Sequence, residues 1–163
     1  MNSVYYDSPL GRILIASDGD GLTGLWFEGQ KYYASTATDI ICNTPDRHID
    51  SAKQWLNIYF SGGKPDYTPV LSLHGTAFRM EVWKILQTIP YGETMTYGEI
   101  AAVMAKRRGS GIVSARAVGG AAGHNPVSII VPCHRVTGSG GTLTGYAGGL
   151  ERKKALLELE GIL

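Results

Sequence analysis

Apolar and polar residues alternate along the start of the chain, over residues 4–27. Alternation with a period of two is typical of half-buried strands. Residues 9–11 and 18–21 are rich in Pro, Gly and Asp, so they predict turns between these strands. From residue 50 to residue 60 the apolar positions recur at helical spacing, which predicts an amphipathic helix. The opening pattern is therefore that of an α/β unit.

The pattern becomes helical after a linker at residues 67–75. Thr76 is a suitable N-cap for a helix with one apolar stripe, and Pro90 ends that helix. Thr96 and Glu99 form a capping box that opens a second helix.

A third, short helix is expected over residues 115–123, with Ser114 as its N-cap. It follows a loop at residues 106–113 that is longer than the usual turn between two such helices. Helix, turn and helix, followed by a β-rich segment, are typical of a winged helix-turn-helix. The predicted fold class is α/β (α+β), with domains at residues 1–74 and 75–163.

An apolar run at residues 127–131 is rich in β-branched residues and predicts a short buried strand, which Pro132 ends. Cys133 and His134 then lie at its end, beside Arg135. A thiol near an imidazole and a positive charge can be held as the reactive thiolate. A buried cysteine is also an ordinary core residue. Because neighbours on an extended chain point apart, coupling of the two side chains needs a bridging water or a tight turn at Pro132.

Composition and charge narrow the choice of partner. The 163 residues suffice for one sizeable core or a domain with a modest appendage. Residues 1–74 carry a net charge of −3 and residues 75–163 carry +4. The basic second half suits a nucleic-acid-binding face, although an uneven surface explains it equally well.

Cys42 and Cys133 are the two cysteines. The chain lacks the about 18 consecutive apolar residues of a membrane span and the basic-then-apolar start of an export signal. We therefore expect a cytoplasmic protein with no membrane association and with both thiols reduced. Asp18 and Asp20 are expected to be turn residues rather than metal ligands, and no metal site is predicted.

Several motifs between residue 75 and the C-terminus keep a consistent order and spacing. They are Arg116-Ala117-Val118-Gly119-Gly120, Asn125-Pro126, Pro132-Cys133-His134-Arg135-Val136, Gly145-Tyr146-Ala147-Gly148-Gly149-Leu150, and Leu156-Leu157 ahead of Glu160-Gly161. This assembly resembles the O6-alkylguanine-DNA alkyltransferases, also called methylated-DNA–protein-cysteine methyltransferases. The resemblance implies a ribonuclease-H-like α/β cap domain followed by a winged helix-turn-helix alkyltransferase domain.

The resemblance also implies a reaction, namely irreversible transfer of an alkyl group from O6-alkylguanine in DNA to Cys133, once per molecule and with no cofactor. O4-alkylthymine is a further candidate substrate. His134 is the implied general base, oriented by Glu160. Tyr97 is implied to donate to the departing guanine, and Asn125 to be a hinge before the active-site segment. Outside the family, Glu160 would be an ordinary helix-end carboxylate and Tyr97 a core aromatic.

Further residues are implied to line the guanine pocket. The backbone of Val136 is expected to bind the guanine amino group, and the Gly-rich loop with Tyr146, Ala147 and Gly148 is expected to hold its oxygen. Ser128 stands where many family members have Pro, and Ala147 where many have Ser. The accepted range of alkyl groups therefore stays open.

The predicted helix at residues 115–123 carries very small side chains, at Ala115, Ala117, Gly119 and Gly120. An interior Gly costs about 1 kcal/mol relative to Ala, which close approach of another surface would offset. That surface is either a neighbouring helix or the DNA minor groove. The resemblance favours the groove, with Arg116 as a finger that replaces a flipped nucleotide.

The implied partner is double-stranded DNA containing O6-alkylguanine, bound by a monomer. Lys106, Arg107 and Arg108 are expected to contact phosphates. A lesion-binding protein without an acceptor is disfavoured because Cys133 is present. A Cys-His hydrolase gives the helix-turn-helix no role, and a sequence-reading regulator needs more base-reading side chains than this helix carries.

Overall fold

The computed structural model describes residues 1–37, 40–109 and 111–163, and only the backbone of Ile41 and Cys42. The chain forms two compact units. The first unit contains Met1–His74 and Pro126–Ile130, and the second contains Gly75–Asn125 and Val131–Leu163. The side chain of Cys42 lies outside the described residues, so its reduced state stays a prediction.

The described residues of the first unit form one sheet and one helix. The sheet has the strand order β3-β2-β1-β4, with β1–β2 and β2–β3 antiparallel and β1–β4 parallel. The bounds are β1 Asn2–Ser8, β2 Gly11–Ser17, β3 Leu22–Phe27, β4 Ile41–Cys42 and α1 Arg47–Phe60. The three strands expected within residues 4–27 are confirmed.

Local capping contacts fix the hairpin turn and the start of α1. Asp18 Oδ1 accepts from the backbone amides of Asp20 and Gly21, as expected of a turn residue. Helix α1 begins three residues earlier than predicted, because the Asp46 carboxylate caps its first amides. The predicted apolar stripe is buried, at Ala52, Trp55, Leu56 and Tyr59.

Two short segments cover the outer edge of β3. Leu22 N–H donates to Val70 O, and Leu25 N–H donates to Pro126 O. Ser128 N–H in turn donates to Leu25 O. The open strand edge is thereby paired within the first unit.

The predicted strand at residues 127–131 is wrong in conformation, although its burial is confirmed. Val127 forms an isolated parallel bridge with Leu25, and a tight turn follows in which Ile130 N–H donates to Ser128 O. Ile129 has φ 70°, which is rare for a β-branched residue. Apolar composition predicted burial, but short-range turns replaced the expected ladder.

The second unit is mainly helical. Its bounds are α2 Ala77–Leu86, β5 Met95–Thr96, α3 Tyr97–Arg107, α4 Ala115–Gly123, β6 Val136–Thr137 and α5 Leu150–Leu159, with 3-10 turns at Cys133–Arg135 and Ser139–Gly141. The predicted N-caps Thr76, Thr96 and Ser114 are confirmed, since each side chain accepts a first-turn amide. The expected β-rich segment is short, because in the described chain after α4 only β6 is a strand, paired with β5. None of the helices in the described residues is long and apolar enough to cross a membrane.

Candidate active site

Cys133 opens the 3-10 turn that follows Pro132. Its Sγ lies 3.3 Å from Asn125 Nδ2, which also donates to Val131 O at 2.7 Å. Burial raises the pKa of the Cys133 thiol, while the Asn125 hydrogen bond and the charge of Lys153 act in the opposite direction. The thiol is protonated at neutral pH and needs a base.

His134, the next residue, is fully buried. Its Nε2 lies 2.5 Å from Glu160 Oε2. Because a carboxylate only accepts, Nε2 carries the hydrogen and Nδ1 keeps its lone pair. Nδ1 has no hydrogen-bonding partner among the described residues. Burial lowers the pKa of His134, so the imidazole is neutral at rest and offers a free acceptor nitrogen.

Glu160 caps the C-terminal end of α5. Besides His134, it accepts from Arg135 Nε at 2.8 Å and from Gly92 N at 3.1 Å, both through Oε1. Arg135 also donates to Ile89 O at 2.7 Å. The buried carboxylate therefore has charged and neutral partners, as burial of a charge requires. Arg135 is thus paired with Glu160, whereas its expected role was to supply charge to the thiol.

Lys153 supplies that charge, and sequence reasoning missed it. Its buried ammonium donates to the carbonyls of Val136, Thr144 and Gly145 at 2.5, 2.9 and 3.2 Å. Burial lowers the pKa of Lys153 to about 8, so the group remains charged at pH 7. A detectable signal was present, because Lys153 shares the helical stripe of Leu156, Leu157 and Glu160.

Tyr97, at the start of α3, holds the Gly-rich loop. Its hydroxyl donates to Thr144 O at 3.2 Å, a carbonyl that also accepts from Lys153. Burial raises the pKa of Tyr97, so the phenol keeps its proton and remains a donor at neutral pH. Gly145 and Gly149 have positive φ values of 49° and 93°, which allow the loop to reverse direction.

Helix α4 exposes its smallest residues. Ala115, Arg116, Ala117 and Gly120 are exposed. A Cβ added at Gly120 would meet nothing within 4 Å, and one at Gly119 would make only ordinary contact, 3.7 Å from the Tyr97 ring. Packing against a neighbouring helix therefore does not require these glycines in the second unit.

Comparisons with known proteins agree with this geometry. A family model described as 6-O-methylguanine DNA methyltransferase, ribonuclease-like domain, matches residues 1–70, and the DNA-binding domain of the same family matches residues 77–162. The chain belongs to the 6-O-methylguanine DNA methyltransferase family. The family resemblance and the fold class drawn from the sequence are both confirmed.

Similar 6-O-methylguanine DNA methyltransferases come from several organisms. A methylated-DNA–protein-cysteine methyltransferase from Mycobacterium tuberculosis is 50% identical over 94% of this chain and 88% of its own length. One from Haemophilus influenzae is 42% identical over 97% and 85%. The crystal structure of Mycobacterium tuberculosis OGT in complex with DNA superposes with a TM-score of 0.84 and 46% identity, covering 98% of this chain and 92% of that chain.

The structure brings together most of the predicted chemistry of a 6-O-methylguanine DNA methyltransferase. Asn125 contacts Cys133 and Glu160 contacts His134, and the two pairs meet at the neighbouring residues Cys133 and His134. The catalytic roles of these residues stay predictions. Val136 is buried. Its amide N–H donates to Cys133 O, and its carbonyl accepts from Lys153 Nζ.

The other residues predicted to line the guanine pocket lie in different surroundings. Tyr146 and Ala147 are half-buried, and Gly148 is buried with its carbonyl accepting from Arg152 at 3.1 Å. Ser128 belongs to the first unit, where its hydroxyl lies 3.5 Å from Gln30 Oε1. Guanine contacts by these residues stay predictions.

The basic residues before α4 are only partly available to DNA. Lys106 and Arg107 are exposed, whereas Arg108 pairs with Glu81 at 2.9 Å. Because α3 continues to Arg107, the loop expected at residues 106–113 begins after that residue, and it includes Ser110, which lies outside the described residues. Within the described chain, no three His, Cys, Asp or Glu residues are grouped to hold a metal ion.

Proposed function

We propose that this protein repairs DNA by direct reversal, transferring a methyl or other alkyl group from O6 of guanine irreversibly to Cys133. Its relatives carry the name methylated-DNA–protein-cysteine methyltransferase. The observation that carries the proposal is the neutral His134, the residue after Cys133, which keeps an unpartnered lone pair on Nδ1 and donates Nε2–H to Glu160. O4-alkylthymine is a second candidate substrate of the same chemistry.

The first step removes the thiol proton. His134 Nδ1 accepts it, directly or through a water, and Glu160 stabilises the imidazolium that forms. Asn125 Nδ2 and the charge of Lys153 stabilise the thiolate. A thiol with a raised pKa is thereby activated only when a base takes its proton.

In the second step, sulfur attacks the alkyl carbon. The S–C bond forms as the bond from carbon to guanine O6 breaks, and the electron pair leaves on guanine. The departing base needs hydrogen-bond donation or a proton, which Tyr97 supplies from its protonated phenol. The product thioether is stable, so each molecule acts once and needs no cofactor.

DNA binding is assigned to α4. Its exposed Ala and Gly residues let the backbone enter a minor groove without bulky side chains, which suits damage in any sequence context. Arg116 is exposed on this helix and takes the place of the flipped nucleotide. The structure of the Mycobacterium tuberculosis relative in complex with DNA supports DNA as the partner.

The two parts of the chain have different proposed roles. Residues 1–74 are a structural α/β domain, and residues 75–163 bind DNA and carry out alkyl transfer. The protein acts as a monomer in the cytoplasm.

The deciding experiment incubates the protein with duplex DNA that contains O6-methylguanine labelled in the methyl group. We expect one label per molecule, located on Cys133, and none with Cys133→Ala. Release of label into solution, or more than one turnover, would contradict the single-use mechanism. In the same assay Glu160→Gln should transfer more slowly with DNA affinity kept, and an unchanged rate would remove Glu160 from the relay.

A further inference from the structure

The Glu160 carboxylate is shared by two basic side chains. Oε2 faces His134 Nε2 at 2.5 Å, and Oε1 faces Arg135 Nε at 2.8 Å. The side chains of His134 and Glu160 have no solvent exposure, and that of Arg135 is 9% exposed. One buried anion therefore serves two groups that are each able to carry a positive charge.

Other charged and titratable groups also surround the imidazole and its neighbour Arg135. Lys153, from α5, bears a second positive charge that acts on His134, and Cys133 adjoins it on its own turn. Tyr91, from the segment after α2, lies with its ring 5.7 Å from the Arg135 guanidinium. A protonated His134 at rest would share the Glu160 carboxylate with Arg135 and would also be repelled by the charge of Lys153, which burial makes costly.

The permanent charge on Arg135 opposes protonation of His134, in addition to the larger effect of burial. A guanidinium does not lose its proton in proteins, whereas an imidazole does so near neutral pH. With Arg135 in place, the negative charge of Glu160 is already compensated, so a resting proton on His134 gains little. Without it, the same carboxylate would favour that proton on the imidazole more strongly, against the effect of burial.

We propose that Arg135 is a positioning residue of the transfer reaction, which compensates Glu160 so that His134 rests uncharged with Nδ1 ready for the thiol proton. The role rests on the proposed function, in which His134 is the base. The proton moves only from Cys133 Sγ to His134 Nδ1, and the imidazolium then shares Glu160 with Arg135. The opposing view is that Arg135 merely ties Glu160 to Ile89 O.

The first test is an NMR titration of the His134 ring in the DNA-free protein, with its signals identified by their loss in His134→Gln. In the native protein we expect the neutral Nε2–H tautomer to persist well below pH 6.5, because the pKa of His134 is lowered. Arg135→Met, which keeps the stem but removes the charge, should raise the titration midpoint by about one pH unit or more. Arg135→Lys, which keeps the charge, should stay close to the native protein.

The second test is the pH profile of alkyl transfer. A lowered His134 pKa keeps the base neutral as pH falls, so the native rate should remain level until that pKa is crossed. In Arg135→Met the acidic limb should move to higher pH, and Arg135→Lys should restore its position even where the overall rate is lower. A purely structural tether would lower the rate at every pH without moving the limb.

Three outcomes would overturn the role of Arg135. They are a native His134 that titrates above pH 6.5, equal midpoints in Arg135→Met and the native protein, and equal shifts in Arg135→Met and Arg135→Lys. Should Arg135→Met fail to fold, Arg135→Gln, which removes the charge and keeps a polar donor for Glu160, takes its place with the same expected shift. Loss of label transfer in the native protein would instead contradict the proposed function, because the titration involves no DNA.

Discussion

Helices α4 and α5 lie in the same unit, but their surfaces are determined by different requirements. Helix α5 buries Lys153 and ends at the buried Glu160, and each charge has hydrogen-bonding partners from other segments. Helix α4 instead exposes Ala115, Arg116 and Gly120.

The two helices differ in what explains their residue types. Contacts within the protein explain those of α5, whereas an external partner is needed to explain those of α4. A change on the inner face of α5 leaves buried partners unsatisfied, so the fold itself accounts for those residues. Glycine on the outer face of α4 lowers helix stability and relieves no clash within the second unit. The composition of α4 is therefore evidence about a partner, whereas that of α5 is evidence about the interior.

The largest effect is expected for Lys153→Met, which removes the charge and keeps an apolar stem. Three carbonyls lose a donor, so the free energy of unfolding should fall by about 2 kcal/mol. Alkyl transfer should slow by about tenfold or more, because the thiolate loses a nearby cation. Denaturant unfolding and single-turnover transfer measure the two effects.

Lys154→Met is the matched control for that change. Lys154 is largely exposed and pairs with Glu158 at 3.8 Å on the helix surface. Its replacement should alter the free energy of unfolding by less than about 0.5 kcal/mol. Equal effects of the two substitutions would show that burial does not distinguish these lysines.

An intermediate effect is expected for Arg116→Ala on α4. Stability should stay within about 0.5 kcal/mol of the native protein, because the residue is exposed. Affinity for lesion DNA should fall about tenfold, and transfer should remain slow at saturating DNA because the flipped base is no longer replaced in the stack. Fluorescence anisotropy and single-turnover transfer provide the measurements.

Arg107→Ala tests whether a residue that only contacts phosphate behaves differently from Arg116, which is proposed to replace the flipped nucleotide. Arg107 is exposed at the end of α3. Its replacement should weaken binding to damaged and undamaged DNA alike and reduce the salt slope by about one. Saturating DNA should restore its transfer rate. Arg107→Ala and Arg116→Ala variants with identical behaviour would contradict the finger role.

Sequence reasoning succeeded where neighbouring residues decide the structure. Capping by Thr76, Thr96 and Ser114 depends on side chains and amides within one turn, so the three helix starts were predictable. The fold class followed from the periodicity of the chain and from its family motifs.

Contacts between distant segments were not predictable in the same way. Arg135 pairs with Glu160, which lies 25 positions later in the chain. Its place in the motif at residues 132–136 had instead suggested that it supplies charge to the Cys133 thiol. The positive φ of Ile129 opposes the local preference of a β-branched residue, so the turn that replaces the predicted strand is imposed from outside the segment. Long-range packing therefore decided the arrangement of charges, whereas local sequence decided the helices.

The smallest effect, and the most direct comparison of the two helices, is expected for Gly120→Ala. The new Cβ meets nothing within 4 Å, and an interior Ala replaces a Gly, so the free energy of unfolding should rise by about 1 kcal/mol or less. DNA affinity should nevertheless fall, because the added methyl group stands where the groove approaches the backbone. Gly98→Ala in α3 is the control, since its Cβ meets only Thr96 Oγ1 at 3.9 Å and it should leave DNA affinity unchanged. A Gly120→Ala protein that is more stable and binds DNA as tightly as the native protein would mean that the exposed surface of α4 is not the one that enters the groove.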